Sequence, residues 1–179
     1  MTRMNDASNP AHISVTFDVH ASADRVFSVL QDVERWPEWT AAMTAVKKMD
    51  DGRLVVGSKV RVRQPKLLPA VWLVTGLNEN RAFTWGTRSP GIQVTGDHRI
   101  ESVGSSSRVT LSLQVSGPLE PLISRLFRGL NERYIATEAK GLKERCEAES
   151  FRETSVTPSQ HTSAGCASVV AESDHRVDS

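Results

Sequence analysis

The stretch FTWGTRSPGIQVTGDHRIES, residues 83–102, decides the fold of this chain. It is typical of two strands joined by a tight turn, because the Pro90–Gly91 pair between them favours a turn. Alternate residues of a strand share a face, and one face of the second strand is formed by Ile92, Val94, Gly96, His98 and Ile100. This face is apolar except for one imidazole. The hairpin therefore needs a core beneath it and places a histidine toward that core.

Further short strands flank this hairpin on both sides. Residues 12–20, HISVTFDVH, alternate apolar and polar side chains, and residues 59–64, KVRVRQ, do so again after the Asp51–Gly52 turn. Residues 108–116 follow a polar connection over residues 104–107. Short connections at this spacing indicate antiparallel neighbours, because parallel strands need long crossovers. We predict a curved antiparallel sheet of about seven strands.

Helices are predicted at two places. After the first strand, Ser22 can cap a short helix, and a second short helical turn follows over Val33–Trp36. A long helix is predicted from Pro118 to Cys146, because apolar residues recur there at three- and four-residue spacing. They are Leu119, Leu122, Ile123, Leu126, Phe127, Leu130, Tyr134, Ala139, Leu142 and Cys146. Only the sheet can cover such a stripe, so we predict an α+β fold in which the sheet wraps around the C-terminal helix.

The 179 residues suit one domain with terminal segments. We expect a flexible N-terminus over residues 1–10, a folded domain over 11–149 and a disordered tail over 150–179. The tail is rich in Ser and Thr and has no apolar periodicity. Cys146 falls in the long helix and Cys166 in the tail, so a structural disulfide is not expected.

Charge and composition exclude several classes of protein. The net charge is +1, from 22 basic and 21 acidic residues, so we expect no nucleic-acid partner. Clustered His and Cys residues are absent, so neither a metal nor another cofactor is expected. The sequence has no apolar run long enough to span a membrane and no signal-peptide core at its start. We therefore expect a cytoplasmic protein without integral membrane association; its oligomeric state is not indicated.

Four stretches of the chain resemble a known family. They are ASADRVFSVLQDVERWPEW (21–39), VGSKVRVRQP (56–65), FTWGTRSPGIQVTGDHRIES (83–102) and SGPLEPLISRLFRGLNERYIATEAKGLKERCE (116–147). In order and spacing they are similar to the polyketide cyclase/dehydrase branch of the START-like, or SRPBCC, superfamily, from about Ile13 to Glu147. The resemblance implies a helix-grip fold whose sheet and long helix enclose an apolar cavity. Members of the group bind lipids, sterols or polyketides, a minority are enzymes, and no catalytic motif is shared.

His98 is the first candidate for a chemical role. An imidazole facing the cavity could bind a ligand carbonyl or phenol, or transfer a proton during a cyclisation. It could equally be a core histidine that bonds to a neighbouring side chain or carbonyl. No acidic residue shares its strand face, so Tyr134 on the long helix, or a threonine, is the predicted assistant. The Tyr134 hydroxyl could instead cap the core.

The predicted ligand contacts are mostly aromatic and aliphatic. Indole rings suit the wall of a pocket for a flat hydrophobic molecule, although they also serve as core packing. The residues predicted to contact the ligand are Trp39, Phe83, Trp85, Val94, His98, Leu111, Leu113, Leu126 and Leu130. The cations Lys59, Arg61 and Arg63 alternate with valines and are expected on the solvent face of their strand.

Three functions are compatible with these observations. The first is a binding module for a small hydrophobic molecule such as a lipid, polyketide or aromatic compound. The second is a polyketide cyclase or dehydratase that uses His98 as acid or base. The third is a co-chaperone-like interaction protein, which an uncovered apolar patch would favour. Binding is preferred, because the sequence does not show the convergent polar groups expected of an active site.

Overall fold

The computed structural model describes residues 3–5 and 11–155, with side chains described over residues 11–148. Its strands are β1 Arg3–Asn5, β2 His12–Val19, β3 Ala45–Lys48, β4 Lys59–Arg63, β5 Ala70–Asn78, β6 Ala82–Ser89, β7 Ile92–Val103 and β8 Ser106–Ser116. Its helices are α1 Ala23–Gln31, a 3₁₀ helix over Val33–Glu38, and α2 Glu120–Ser155.

All the strands belong to one antiparallel sheet in the order β1-β2-β8-β7-β6-β5-β4-β3. The α+β helix-grip class is confirmed: the predicted sheet of about seven strands is present, and the three-residue strand β1 extends one edge. Two short helices follow β2, and Ser22 caps the first by accepting a hydrogen bond from the Arg25 backbone N–H. Helix α2 lies across the sheet.

The predicted domain ends are only partly within the described residues. Residues 3–5 of the predicted flexible N-terminus pair with β2, whereas residues 1–2 and 6–10 lie outside the described residues. Helix α2 continues through Ser155, beyond the boundary predicted at 149. Residues 156–179, which hold Cys166 and most of the predicted disordered tail, also lie outside the described residues.

The core lies between the concave face of the sheet, α1, the 3₁₀ helix and the second half of α2. Trp36 is its largest fully buried side chain, and its indole N–H donates to the Leu30 carbonyl. The alternation predicted for β7 is observed, since His98 and Ile100 are buried while Arg99 and Glu101 are exposed. The hairpin that contains His98 therefore faces inward as predicted.

The orientation of α2 about its axis corrects the predicted stripe. Its second half is buried through Ile135, Ala139, Leu142 and Cys146, and these residues fix the rotation of the helix. At about 100° per residue, Leu126 lies on the opposite side of the axis from Ile135. Leu119, Leu122 and Leu126 are accordingly 45%, 64% and 69% exposed. The sequence pattern had merged two stripes that lie on different sides of one helix.

None of the helices in the described part of the chain has the length and apolar character needed to span a membrane.

Burial predicts the reactivity of Cys146. Its side chain is fully buried, and this burial raises the pKa of the thiol to about 12. We expect a Cys166→Ser variant, which retains only this thiol, to resist Ellman's reagent at mildly alkaline pH while folded and to react fully in guanidinium chloride. Fast labelling of the folded protein would contradict this packing of α2.

Candidate functional site

A cavity of about 480 Å³ lies between the sheet and the first half of α2. The sheet contributes residues from β4 to β8, and α2 contributes Ile123, Phe127, Asn131, Tyr134, Ile135 and Glu138. The volume equals that of about 16 water molecules at liquid density. It falls within the size range of small-molecule binding sites in proteins.

Part of the predicted ligand-contact set lines this cavity. The lining includes Trp85, Val94, His98, Leu111 and Leu113, and also the predicted assistant Tyr134. The remaining members of the set lie elsewhere: Trp39, Phe83, Leu126 and Leu130. Two of the four are packing residues, and the other two are turned away by the rotation of α2.

Phe83 and Trp39 are packing residues. Phe83 is buried and stacks on the His98 ring, with centroids 5.1 Å apart, so it supports the imidazole from behind. Trp39 packs against Trp36 at a centroid distance of 5.5 Å, and its backbone approaches α2 at Gly141. Neither Trp39 nor Phe83 lines the cavity, and their contact with a ligand stays a prediction.

Leu126 and Leu130 lie outside the lining because of the rotation of α2. Leu126 points to solvent, and Leu130 is half-buried next to the same outer side. Their places on the cavity side are taken by Phe127, Asn131 and Tyr134. The cavity wall formed by α2 is consequently more polar than the sequence suggested.

His98 is held by two hydrogen-bond partners. Its Nδ1 lies 3.2 Å from the Phe83 carbonyl oxygen, and its Nε2 lies 2.8 Å from Oε1 of Glu138. The two side chains are only 5% and 12% exposed. The bond to Phe83 follows from the register, because Phe83 and His98 are direct partners across β6 and β7.

These contacts limit where the protons of the His98–Glu138 pair can lie. A carbonyl oxygen only accepts hydrogen bonds, so Nδ1 must carry a hydrogen. The Nε2–Oε1 contact then needs one proton between its two atoms, giving either imidazolium and carboxylate or imidazole and carboxylic acid. His98 and Glu138 thus form a buried pair at the cavity wall, and one proton lies between Nε2 and Oε1.

Glu138 is a site residue that was not predicted from the sequence. The strand face of His98 carries no acidic residue, and the acidic partner of the imidazole comes from the helix across the cavity. The available signal was spacing, since Glu138 follows Tyr134 by four residues and so lies on the same side of the helix. A glutamate on that side differs from the solvated charges elsewhere on α2.

Two tryptophans form one wall of the cavity. The rings of Trp72 and Trp85 lie 5.0 Å apart at an angle of 37°, and both side chains line the cavity. Gly96 on β7 leaves room for this wall, because a Cβ there would lie 2.7 Å from Nε1 of Trp85. The glycine makes space for an indole ring.

Tyr134 lies at the rim of the cavity. Its hydroxyl donates a hydrogen bond to the carbonyl of Pro65, in the connection between β4 and β5, and burial raises the pKa of this phenol. The same connection contains Lys66 at φ 62°, a left-handed conformation that is costly for a residue with a side chain. The bond thus ties α2 to a connection that also lines the cavity through Lys66, Leu67 and Leu68.

Solved structures share this architecture. A START superfamily protein from Mycobacterium smegmatis is 21% identical, with a TM-score of 0.59, over 75% of this chain and 97% of that one. An aromatase/cyclase from a Streptomyces species is 16% identical, with a TM-score of 0.65, over 84% and 96%. A protein from Thermus thermophilus is 16% identical, with a TM-score of 0.63, over 78% and 99%. At these identities the likeness shows the fold alone.

A family model gives the sequence-level relationship. No curated protein matches the chain. The model described as polyketide cyclase / dehydrase and lipid transport matches residues 10–147, about three quarters of the chain. This range contains β2 to β8 and the part of α2 that lines the cavity. With the helix-grip fold, the match identifies the chain as a member of the polyketide cyclase/dehydrase and lipid transport family of the START-like superfamily.

Proposed function

We propose that the protein binds a small hydrophobic molecule in the cavity between the sheet and α2. The observation that carries the proposal is the cavity of about 480 Å³, walled by Trp72, Trp85 and aliphatic side chains. An apolar ligand in the cavity removes its own apolar surface and that of the wall from water. This burial contributes a favourable free energy of about 25 cal/mol per Å² of apolar area. A packed core would not leave a space of this size open.

The His98–Glu138 pair adds a polar requirement to this ligand. Within residues 11–148, the side-chain hydrogen bond of Glu138 uses Oε1, so Oε2 can accept a hydrogen bond from a ligand. A ligand with a hydroxyl, phenol or enol group can donate to that oxygen, which accepts a hydrogen bond in either form of the pair. The ligand class proposed is therefore a largely apolar molecule with at least one hydrogen-bond donor.

A tryptophan placed inside the cavity tests the proposal. Val94 lines the cavity, so Val94→Trp should fill it and weaken binding of the apolar fluorophore N-phenyl-naphthylamine at least about tenfold, as measured by fluorescence titration. Val103→Trp is the matched control: it lies on the same strand, is 49% exposed and should leave binding unchanged.

The outcome is interpretable only if both variants fold, which thermal denaturation of each establishes. Equal, saturable binding by both folded variants would overturn the proposal, because the probe would then occupy another site. Absence of saturable binding by the wild-type protein to this probe and to β-naphthol would also count against it.

A second candidate function is proton transfer on a bound substrate, as in a cyclase or dehydratase. The specific observation that favours it is the buried, hydrogen-bonded pair of His98 and Glu138 at the cavity wall. A similar fold is present in the Streptomyces aromatase/cyclase. Glu138→Gln tests this candidate, since the amide preserves the shape of the side chain and cannot accept the proton.

A further inference from the structure

Four large leucine side chains are exposed on two segments that border the cavity. Leu68, in the connection between β4 and β5, is 89% exposed. Leu119, directly before α2, is 45% exposed, and Leu122 and Leu126, on the outer side of α2, are 64% and 69% exposed. We call these four residues the rim leucines. Scattered exposed leucines are ordinary, but a group on segments that border one cavity indicates an interaction surface.

The cavity opens beside Leu68. Leu68 both lines the cavity and is almost fully exposed, so the cavity meets solvent at that point. The Tyr134–Pro65 hydrogen bond fixes the β4–β5 connection to α2. At the start of α2, the Leu119 backbone N–H donates to the Gly91 carbonyl in the β6–β7 turn, 3.0 Å away. Three segments therefore meet at the opening, and two of them carry rim leucines.

These three segments are also basic. Residues 63–69, 87–93 and 117–133 contain six basic and only two acidic residues, although the whole chain is close to neutral. The basic residues are Arg63, Lys66, Arg88, Arg125, Arg128 and Arg133, and the acidic ones are Glu120 and Glu132. Arg128 is paired with Glu132 at 2.8 Å. The excess of positive charge is thus concentrated around the opening.

We propose that the rim leucines and the basic residues around them dock the protein on a bilayer that contains anionic lipids. Leucines at helical spacing can insert between acyl chains, while long basic side chains keep their charged ends among the headgroups. Anionic headgroups supply the complementary charge. The opening then faces the bilayer, and a hydrophobic ligand can pass between membrane and cavity without crossing water.

A bilayer explains the arrangement better than a folded partner. The rim leucines protrude from separate segments and are interspersed with arginines, whereas protein interfaces have a closely packed core depleted of charge. Docking goes beyond the proposed function, because it requires no ligand in the cavity. The two can fail independently: Val94→Trp should still bind vesicles although it binds the fluorophore more weakly.

Flotation of the full chain with vesicles tests the docking. We expect binding to vesicles of phosphatidylcholine with phosphatidylserine, weaker binding to phosphatidylcholine alone, and a loss of binding as salt is raised. The double variant Leu122→Glu/Leu126→Glu should bind at least about tenfold more weakly, since two apolar side chains are lost from the contact.

The matched control is Val55→Glu/Val56→Glu. These valines are 53% and 59% exposed and precede β4, at the opposite end of that strand from the cavity opening, so binding should change little. Leu68→Glu, in a connection outside the helix, provides a second variant should the double substitution disturb α2.

Three results would overturn the proposal. The first is no binding of the wild-type chain to the phosphatidylserine vesicles. The second is an equal loss in the leucine and valine variants. The third is a wild-type dimer in sedimentation that Leu122→Glu/Leu126→Glu converts to a monomer while vesicle binding is unaffected, which would assign the leucines to a second copy of the chain.

Discussion

Gly141→Ala is expected to destabilise the protein by about 3 kcal/mol, the upper part of the usual range for overpacking. A Cβ at this position would lie 2.0 Å from the carbonyl oxygen of Trp39 and 3.0 Å from its carbonyl carbon. Backbone atoms at the end of the 3₁₀ helix cannot rotate away as a flexible side chain can. Helix α2 would therefore have to move outward and weaken the packing of Leu142 and Cys146.

The same substitution at Gly129 is the matched control. Gly129 lies on the same helix, and a Cβ there would have no atom within 4 Å. Alanine is a better helix former than glycine, so Gly129→Ala should stabilise the protein by up to about 1 kcal/mol. Denaturation in guanidinium chloride measures both variants, and opposite signs are expected. Stabilisation by Gly141→Ala would mean that α2 does not approach the 3₁₀ helix this closely.

The fold could be predicted because its signals are local. Alternation in β2, β4 and β7, the turn at Pro90–Gly91 and the Ser22 cap each depend on residues close in sequence. The rotation of α2 could not be predicted in the same way, because its first half offers leucines on one side and Ile123 and Phe127 on another. Only the fixed burial of Ile135 and Leu142 farther along the helix selects between them.

The site was predictable to the extent that it lies on the sheet. His98, Val94 and Trp85 reach the cavity because strand alternation places them there. Glu138 depends on how α2 crosses the sheet, a long-range feature that no local pattern contains. Tertiary packing also decides which aromatic residues line the cavity and which lie behind it. Phe83 and Trp85 share a strand face, yet Phe83 lies beneath His98 and Trp85 lines the cavity.

Glu138→Gln is expected to slow proton exchange at the α-carbon of bound β-tetralone by about 100- to 10,000-fold, the range typical of a lost acid or base. In exchange, the C–H electron pair forms an enolate, the proton moves to Oε2 of Glu138, and a solvent-derived deuteron later returns to carbon. The glutamine variant retains its hydrogen bond to His98, because its amide N–H can donate to Nε2. Proton NMR in deuterium oxide follows the exchange.

Binding measured on the same samples separates loss of rate from loss of affinity. Glu144→Gln is the matched control, because this carboxylate is exposed on the same helix, 3.8 Å from Lys140 and outside the cavity lining. Its exchange rate should equal that of the wild type. If wild-type protein binds β-tetralone and yet exchanges it no faster than buffer, proton transfer is excluded for this ketone and the binding function remains. If Glu144→Gln slows exchange as much as Glu138→Gln, the effect comes from the charge of α2 and not from proton transfer to Oε2 of Glu138.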